Sequence, residues 1–376
     1  MAWTERYVDP NATGLGTGTS TSDPWTLDQA VSSTTSGMRV NFKKGTYNVL
    51  SNINTAFSGA ATAPIIWRGY DTTPGDLDGT ITSNLTPGTD MPLISCSGVY
   101  VLLDSQYHEM IGLAFEQNDA SLPILYDRRT YSYTKNCSFE HKSTAMAATY
   151  GVDGAGSYRI YVACKFTVGG SSGSKTILEI SEFCHVQDCV VYTLESTKTT
   201  AGIRLNGNNG TVTNTVIFGC EQGIYSAGKG LVCNQNTFWF CDTGIETNNS
   251  SYAGLTSITN CVFHSCSNHV VGNTSTSVME NPFVDNNLYY NSPTLFDTAG
   301  DLYDHNPLND SSEPFVDTVT GDLSLISTSN GYEVGTGRRG LFASTDYKSK
   351  GAIQHQSTSG GGGGGTTTIL LHPLDA

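Results

Sequence analysis

Short runs of β-prone, apolar residues recur along the middle of the chain, each preceded by a small or polar residue. Eight four-residue runs of this kind follow one another, and their last positions are 22 to 27 residues apart. They begin at Gly112, Asn136, Ala163, Asp188, Asn214, Asn236, Asn260 and Asn287. A second pattern, the dipeptide Gly-Ile, recurs about once per repeat, at positions 202, 223 and 244. Each run therefore predicts a strand between two turns, repeated once per 20–30 residues.

The pattern leaves almost no helical periodicity and no room for helices between the strands. Alternating β and α elements and leucine-rich repeats are therefore excluded, since their periods and leucine spacing differ. Short strands with a turn after each, repeated once per coil, describe a solenoid of parallel strands. Its coils stack at the inter-strand distance of about 4.8 Å.

The residues at the start of the runs predict a ladder along the stacked coils. Asparagine tolerates the left-handed backbone of a tight corner, and its amide can bond its neighbour in the next coil. The predicted asparagine column is Asn136, Asn214, Asn236, Asn260 and Asn287. The next position holds Cys137, Cys164, Cys189 and Cys261, with Thr215 and Thr237 between them. We interpret these cysteines as small buried core residues, because a metal site would require paired close spacings such as CxxC.

Segments before and after the repeat add to this picture. Asp23 and Pro24 suit the N-cap and first position of a short helix before the first strands. Segments 315–317, 321–325 and 351–354 suit a closing coil. With the repeat, these features resemble the right-handed parallel β-helix family with the pectate-lyase-like fold. The resemblance implies an all-β solenoid over residues 23–355 with an N-terminal capping helix, preceded by an arm (1–22) and followed by a flexible Gly-rich tail (356–376).

Charge and composition exclude several classes of protein. The 376 residues carry 19 Lys and Arg against 34 Asp and Glu, a net charge of −15. A chain with so few basic residues cannot neutralise many phosphates, so we expect no nucleic-acid partner. No apolar run is long enough to span a membrane, and the N-terminus lacks the pattern of a secretory signal. We therefore expect synthesis in a cytoplasm with free thiols. We also expect neither a metal nor another cofactor.

The resemblance raises the question of catalysis, since the family includes lyases and hydrolases of acidic polysaccharides. The Gly-His-Gly, Asp-Asp, Asn-Thr-Asp and Arg-x-Pro-x-x-Arg motifs of such enzymes are absent from this sequence. The residues that would carry catalysis are Glu179, Glu182 and Asp188, near His185. Arg128 and Arg129 would contact an acidic sugar or, as we favour, form a salt bridge in a loop. Because the net charge repels anionic glycans, a neutral glycan is the expected sugar ligand.

The C-terminal tail predicts an attachment function. Six glycines, 360–365, form a flexible tether before an apolar, β-prone segment that would add to a partner's sheet edge. The docking residues would be Ile369, Leu370, Leu371 and Leu374. A β-helix with such a tail resembles virion accessory proteins of tailed bacteriophages. This resemblance favours a non-enzymatic structural role on the virion, bound to a capsid or tail protein and associated as a homo-oligomer such as a trimer. The alternative is a glycan-binding or glycan-cleaving β-helix.

Overall fold

The computed structural model describes an almost entirely β protein. The described residues are 3–55, 58–79, 85–104, 106–128, 130–143, 146, 150–154, 156–169, 175–193, 198–247, 256–272, 283–292, 294–296, 308–310, 312, 315–317 and 322–325. They contain one α-helix and 34 strands, and all but two strands lie in three parallel sheets. The predicted parallel β-helix is thereby confirmed. Within the described ranges, no helix is long and apolar enough to cross a membrane.

Successive strands join the three sheets in rotation. Sheet I contains β1 (Thr4–Val8), β2 (Met38–Lys43), β5 (Ile65–Tyr70), β8 (His108–Ile111), β11 (Ser132–Lys135), β14 (Arg159–Val162), β17 (His185–Gln187), β20 (Thr211–Thr213), β23 (Val232–Asn234), β26 (Ser257–Thr259) and β29 (Phe283–Asp285). Sheet II contains β4 (Ile53–Thr55), β7 (Val101–Leu103), β10 (Leu125–Asp127), β13 (Tyr150–Gly154), β16 (Thr176–Ile180), β19 (Thr199–Leu205), β22 (Cys220–Ser226), β25 (Thr243–Thr247), β28 (Asn268–Gly272) and β31 (Thr294–Phe296). Sheet III contains β3 (Gly45–Val49), β6 (Pro92–Cys96), β9 (Ala114–Gln117), β12 (Ser138–His141), β15 (Lys165–Val168), β18 (Val190–Thr193), β21 (Val216–Phe218), β24 (Thr237–Trp239), β27 (Val262–His264), β30 (Leu288–Tyr290) and β32 (Leu308–Asp310). The remaining strands, β33 (Phe315–Asp317) and β34 (Asp322–Leu325), pair antiparallel.

The chain divides into two compact units. The first comprises residues 1–185 and 192–200, and the second comprises residues 186–191 and 201–376. In the first unit, Phe115, Phe139 and Phe166 occupy the same register on successive strands of sheet III. Their buried rings stack with centroids 5.3 and 5.0 Å apart. The second unit has an equivalent stack of Phe238, Phe263 and Tyr289. Like residues on successive strands thus fill the core.

A short helix, α1 (Leu27–Ser33), precedes the second strand, but its N-cap differs from the prediction. The N-cap is Thr26, whose hydroxyl accepts a hydrogen bond from the backbone N–H of Gln29 (3.2 Å), while the Gln29 side chain accepts one from the Thr26 N–H (2.9 Å). Asp23 instead accepts hydrogen bonds from Thr17. This reciprocal capping box satisfies two N–H groups at the start of the helix, which accounts for its beginning after Thr26.

The N-terminal segment also differs from the expected separate arm. Residues Thr4–Val8 form β1, which pairs in parallel with β2 over five residues from Thr4↔Met38 to Val8↔Phe42. Val8 is fully buried. Sheet I therefore begins within this segment, and β1 covers the strand edge that β2 would otherwise expose. The glycine tether and the apolar segment after it lie outside the described residues.

The asparagine ladder has a different register from the predicted one. Asn136, Asn214 and Asn260 have left-handed backbones with φ of 52°, 49° and 55° at the corner between sheets I and III. Asn236 and Asn287 lie one position later, because the left-handed residues of their coils are Gln235 and Asn286. The two coils are therefore offset by one residue from the alignment that the sequence pattern suggested.

The offset changes which residues share the inner column. Thr237 pairs with Val216 and Val262, so Asn236, rather than Thr237, occupies the position that Thr215 and Cys261 hold in the adjacent coils. Asn236 accepts a hydrogen bond from the Thr215 N–H (3.0 Å) and donates one to the Val212 carbonyl (2.8 Å). Buried asparagine amides in this column thus bridge backbone groups of adjacent coils.

All ten cysteines are buried and free. The four thiols of the predicted cysteine column each donate to the carbonyl two residues earlier, at distances from 3.1 to 3.4 Å. Burial raises the pKa of Cys137 to about 12. Because the thiolate is the reactive form, these groups behave as small packing residues with a weak donor.

Candidate functional site

Three polar residues form a row on the outer face of sheet II in the first unit. Tyr126, Asp153 and Glu179 are partners on the successive strands β10, β13 and β16. Their neighbours Leu125, Val152 and Leu178 are fully buried and face the core, since side chains alternate along a strand. The row therefore faces outward, although Asp153 and Glu179 are each only 5% exposed.

Arg128 covers this row. Its Nε and Nη2 atoms both donate to Oδ2 of Asp153, at 3.1 and 2.7 Å, and its guanidinium carbon lies 4.4 Å from the centroid of the Tyr126 ring. The hydrogen bonds to Asp153, and the nearby charge of Glu179, raise the pKa of Arg128. Arg128 therefore remains a cation, and half of its side chain (52%) is exposed to solvent. We call Arg128, Asp153 and Glu179 the outer-face cluster.

The two oxygens of Asp153 have different surroundings. Oδ2 accepts both hydrogen bonds from Arg128, whereas the buried Oδ1 accepts none from the part of the chain that the structure describes. Buried polar atoms are nearly always paired in native proteins, so an unpaired carboxylate oxygen needs an explanation. Asp153 therefore keeps one carboxylate oxygen whose hydrogen-bonding capacity is unused within the described residues.

The outer-face cluster does not fit a calcium ion. Calcium takes six to eight oxygen ligands, whereas Arg128 holds one oxygen of this carboxylate pair with two donors. Among the described residues, no group of three or more His, Cys, Asp or Glu side chains is placed to hold a metal.

On the core side of the same strand, Asp127 fixes β10 from within. Its Oδ1 lies 3.4 Å from Nη2 of Arg159, and its Oδ2 accepts hydrogen bonds from Ser132 (3.0 Å) and Tyr161 (3.1 Å). Burial raises the pKa of Asp127, although Arg159 and the two hydroxyl donors act in the opposite direction. Consecutive residues thus anchor the strand on the inside and place Arg128 on the outside.

The three residues predicted from the sequence to carry catalysis, Glu179, Glu182 and Asp188, have different surroundings in the structure. Glu179 belongs to the outer-face cluster, while Glu182 lies beyond the end of β16, where its backbone carbonyl accepts the Tyr158 N–H (3.0 Å). Asp188 belongs to the second unit, has a φ of 55°, and accepts hydrogen bonds from Asn214 and Gln187. Asp188 is therefore a corner residue of the ladder.

Arg128 forms the salt bridge that the sequence favoured, and its partner is Asp153, which the sequence pattern did not identify. Arg129 lies outside the described residues. Asp153 and Tyr126 were missed because neither belongs to the repeated phrase. A signal was nevertheless present: positions 126, 153 and 179 are separated by 27 and 26 residues, which is the coil period. The docking residues Ile369, Leu370, Leu371 and Leu374 lie outside the described residues.

Similarity to solved structures supports the fold. The pectate lyase Pel9A matches with a TM-score of 0.55 and 15% identity, over 94% of this chain and 96% of that chain. A mannuronic acid-specific family 6 polysaccharide lyase from human gut microbiota matches at 0.48 and 14%, over 81% and 78% of the two chains. A rhamnogalacturonan lyase matches at 0.45 and 13%, over 84% and 90%. No protein-family model and no curated protein matches this chain. At these identities the likeness establishes a pectate-lyase-like parallel β-helix.

Proposed function

We propose that this protein binds a neutral polysaccharide on the outer face of sheet II in the first unit and hydrolyses its glycosidic bonds at the outer-face cluster. The observation that carries the proposal is the pair of nearly buried carboxylates, Asp153 and Glu179, on adjacent strands beneath a half-exposed arginine. The similar fold of a pectate lyase supports a role in glycan cleavage over the virion role, which depends on a tail outside the described residues.

The spacing of the strands suits hydrolysis by two carboxyl groups. Asp153 and Glu179 are register partners on neighbouring parallel strands, whose backbones lie about 4.8 Å apart. Retaining glycosidases use two carboxyl groups about 5–5.5 Å apart. In the proposed reaction, Glu179 donates a proton to the glycosidic oxygen as its bond to the anomeric carbon breaks. The carboxylate of Asp153 forms a new bond to that carbon. A water molecule, deprotonated by Glu179, then cleaves the glycosyl ester and restores Asp153.

Charge favours a neutral substrate. The outer-face cluster contains one guanidinium group and two carboxylates, and the whole chain carries a net charge of −15. An anionic polymer would meet repulsion at the site and from the protein as a whole. Elimination requires a uronic acid with an acidic proton, so a neutral substrate also implies hydrolysis rather than a lyase reaction.

The test compares purified wild-type protein with Glu179→Gln and Asp153→Asn on neutral polysaccharides such as β-glucan, xylan, galactan and mannan. We expect new reducing ends from the wild type and a loss of at least a hundredfold in either variant. Glu182→Gln is the matched control, because it removes a nearby carboxylate outside the cluster and should leave the rate unchanged. Unsaturated products, or full activity in both cluster variants, would contradict the proposal.

A further inference from the structure

A row of four aromatic side chains runs along one corner of the first unit. Tyr107, Tyr131, Tyr158 and Phe183 precede four successive strands of sheet I, and their rings stack in order. The centroids are 4.9, 5.0 and 4.9 Å apart, and the ring planes are nearly parallel. We call these four residues the corner ladder.

The backbone of the corner ladder is unfavourable for aromatic residues. All four have left-handed φ values, between 53° and 62°. Bulky side chains rarely adopt this conformation, and the other corner of the same coils uses residues such as Asn136, which tolerate it better. Tyr131, Tyr158 and Phe183 also remain 45% exposed, so burial compensates only partly for the strain. Strained residues held in place on a surface point to a function.

In each of three coils, a residue of the corner ladder follows a residue of the outer-face cluster within five positions. Tyr131 lies three positions after Arg128, Tyr158 five after Asp153, and Phe183 four after Glu179. The same three coils therefore present a cluster residue on the outer face of sheet II and an aromatic residue at the following corner. A polymer bound across the cluster would have the corner ladder beside it.

The chemistry of the corner ladder suits an uncharged polymer rich in hydroxyl groups. Its exposed surface combines apolar ring edges with phenol hydroxyls at a regular spacing, and it contains no carboxylate or ammonium group. Aromatic residues with a polar tip are typical of binding surfaces. A row one residue wide is narrower than a stable protein interface, which buries at least about 1,000 Å².

From these observations we propose that the corner ladder is a second binding surface, which holds an extended neutral polysaccharide beside the cleavage site. The identity of the polymer rests on the proposed function, whereas the surface itself rests on the stacking, exposure and left-handed backbone of its four residues. Binding there would anchor long chains and contribute little to the turnover of short oligosaccharides.

The test uses Tyr131→Asn/Tyr158→Asn, since asparagine tolerates the left-handed backbone while removing the rings. Retention in affinity electrophoresis through β-glucan, xylan, galactan or mannan should weaken at least tenfold. Phe240→Asn is the matched control, because Phe240 is a 52% exposed aromatic residue with a φ of 56° outside the corner ladder, and its loss should leave retention unchanged. Tyr131→Phe/Tyr158→Phe keeps the stacked rings, so the protein should still fold. Its retention by the polymers should weaken less than that of the asparagine variant.

Further measurements separate this inference from the proposed function. Glu179→Gln should be retained like the wild type yet fail to cleave, whereas the asparagine variant should lose retention on the polymers. Retention without any cleavage would leave the corner ladder supported and overturn the hydrolase proposal. The corner ladder is overturned if the wild type is not retained by any of the polymers, or if the asparagine variant is retained equally. It is also overturned if sedimentation shows a wild-type dimer that this variant dissociates, because a second copy would then cover the surface.

Discussion

Asp127 and Arg159 form an ion pair in the core of the first unit, with Oδ1 and Nη2 3.4 Å apart and side chains at most 1% exposed. Removing one partner of such a pair leaves an uncompensated buried charge. We therefore predict that Asp127→Asn lowers the free energy of unfolding by about 3–5 kcal/mol. Urea unfolding followed by circular dichroism measures the change.

Lys44→Gln is the comparison for this prediction, because both side chains of the Lys44–Asp71 pair are well exposed, at 42% and 37%. We expect a much smaller loss, as is usual for exposed pairs. Equal losses in the two variants would show that the pair around Asp127 is not buried as the structure places it.

His108 provides a prediction of pH dependence. Its ring is 2% exposed and contacts Trp67 edge to face, with centroids 5.4 Å apart, and burial lowers its pKa from 6.5 to about 3. Below pH 6.5, His108 binds a proton in the unfolded chain but stays neutral in the folded chain. The free energy of unfolding is therefore highest above this pH and falls as the pH decreases. Between pH 6.5 and pH 5 the loss from this residue is about 2 kcal/mol.

The measurement compares unfolding of the wild type and His108→Gln from pH 7.5 to pH 5. The substitution lowers stability at all pH values but should remove this part of the slope. Identical slopes in the two proteins would mean that His108 titrates normally in the folded state.

The buried cysteines predict the reactivity of the folded protein toward thiol reagents. Because all ten are buried and free, the folded protein should react with almost no Ellman's reagent over minutes, and the denatured protein should show ten thiols. Several fast-reacting thiols without denaturant would contradict the placement of the cysteine column in the core.

The aromatic core predicts a large local effect. Phe139 stacks between Phe115 and Phe166, and all three are buried. Phe139→Ala should lower the free energy of unfolding by about 3–5 kcal/mol, the usual result of deleting a buried ring. Tyr158→Asn should change it by less than about 1 kcal/mol, since loss of a partly exposed ring is offset by relief of the left-handed strain. Chemical unfolding of both variants checks the contrast.

The fold could be predicted because each coil repeats the same physical requirements. A left-handed corner favours Asn, as at Asn136 and Asn260, and the strand after it needs inward apolar residues such as Phe139 and Phe263. Both requirements are visible in one sequence. The offset at Asn236 was missed because coils differ in length, and asparagine suits both the corner and the buried position after it.

The candidate site was harder to predict because its residues come from separate coils. Glu179 was nominated as a carboxylate near other acids, but its actual partner, Asp153, lies one coil earlier. Their proximity follows from the register of β13 and β16, which depends on exact coil lengths. The capping residue Thr26 was missed for a different reason, since Asp23 and Pro24 also match the start of a helix.

The most direct test of the central claim is to trap the covalent intermediate on Glu179→Gln with an aryl glycoside, whose phenolate leaves without protonation. Without Glu179 to activate water, the glycosyl ester should accumulate. Peptide mapping by mass spectrometry is predicted to find one sugar residue attached to the peptide containing Asp153. Aryl release with the sugar attached to another residue, or with the peptide containing Asp153 unmodified throughout, would contradict the assignment of Asp153 as nucleophile at the outer-face cluster.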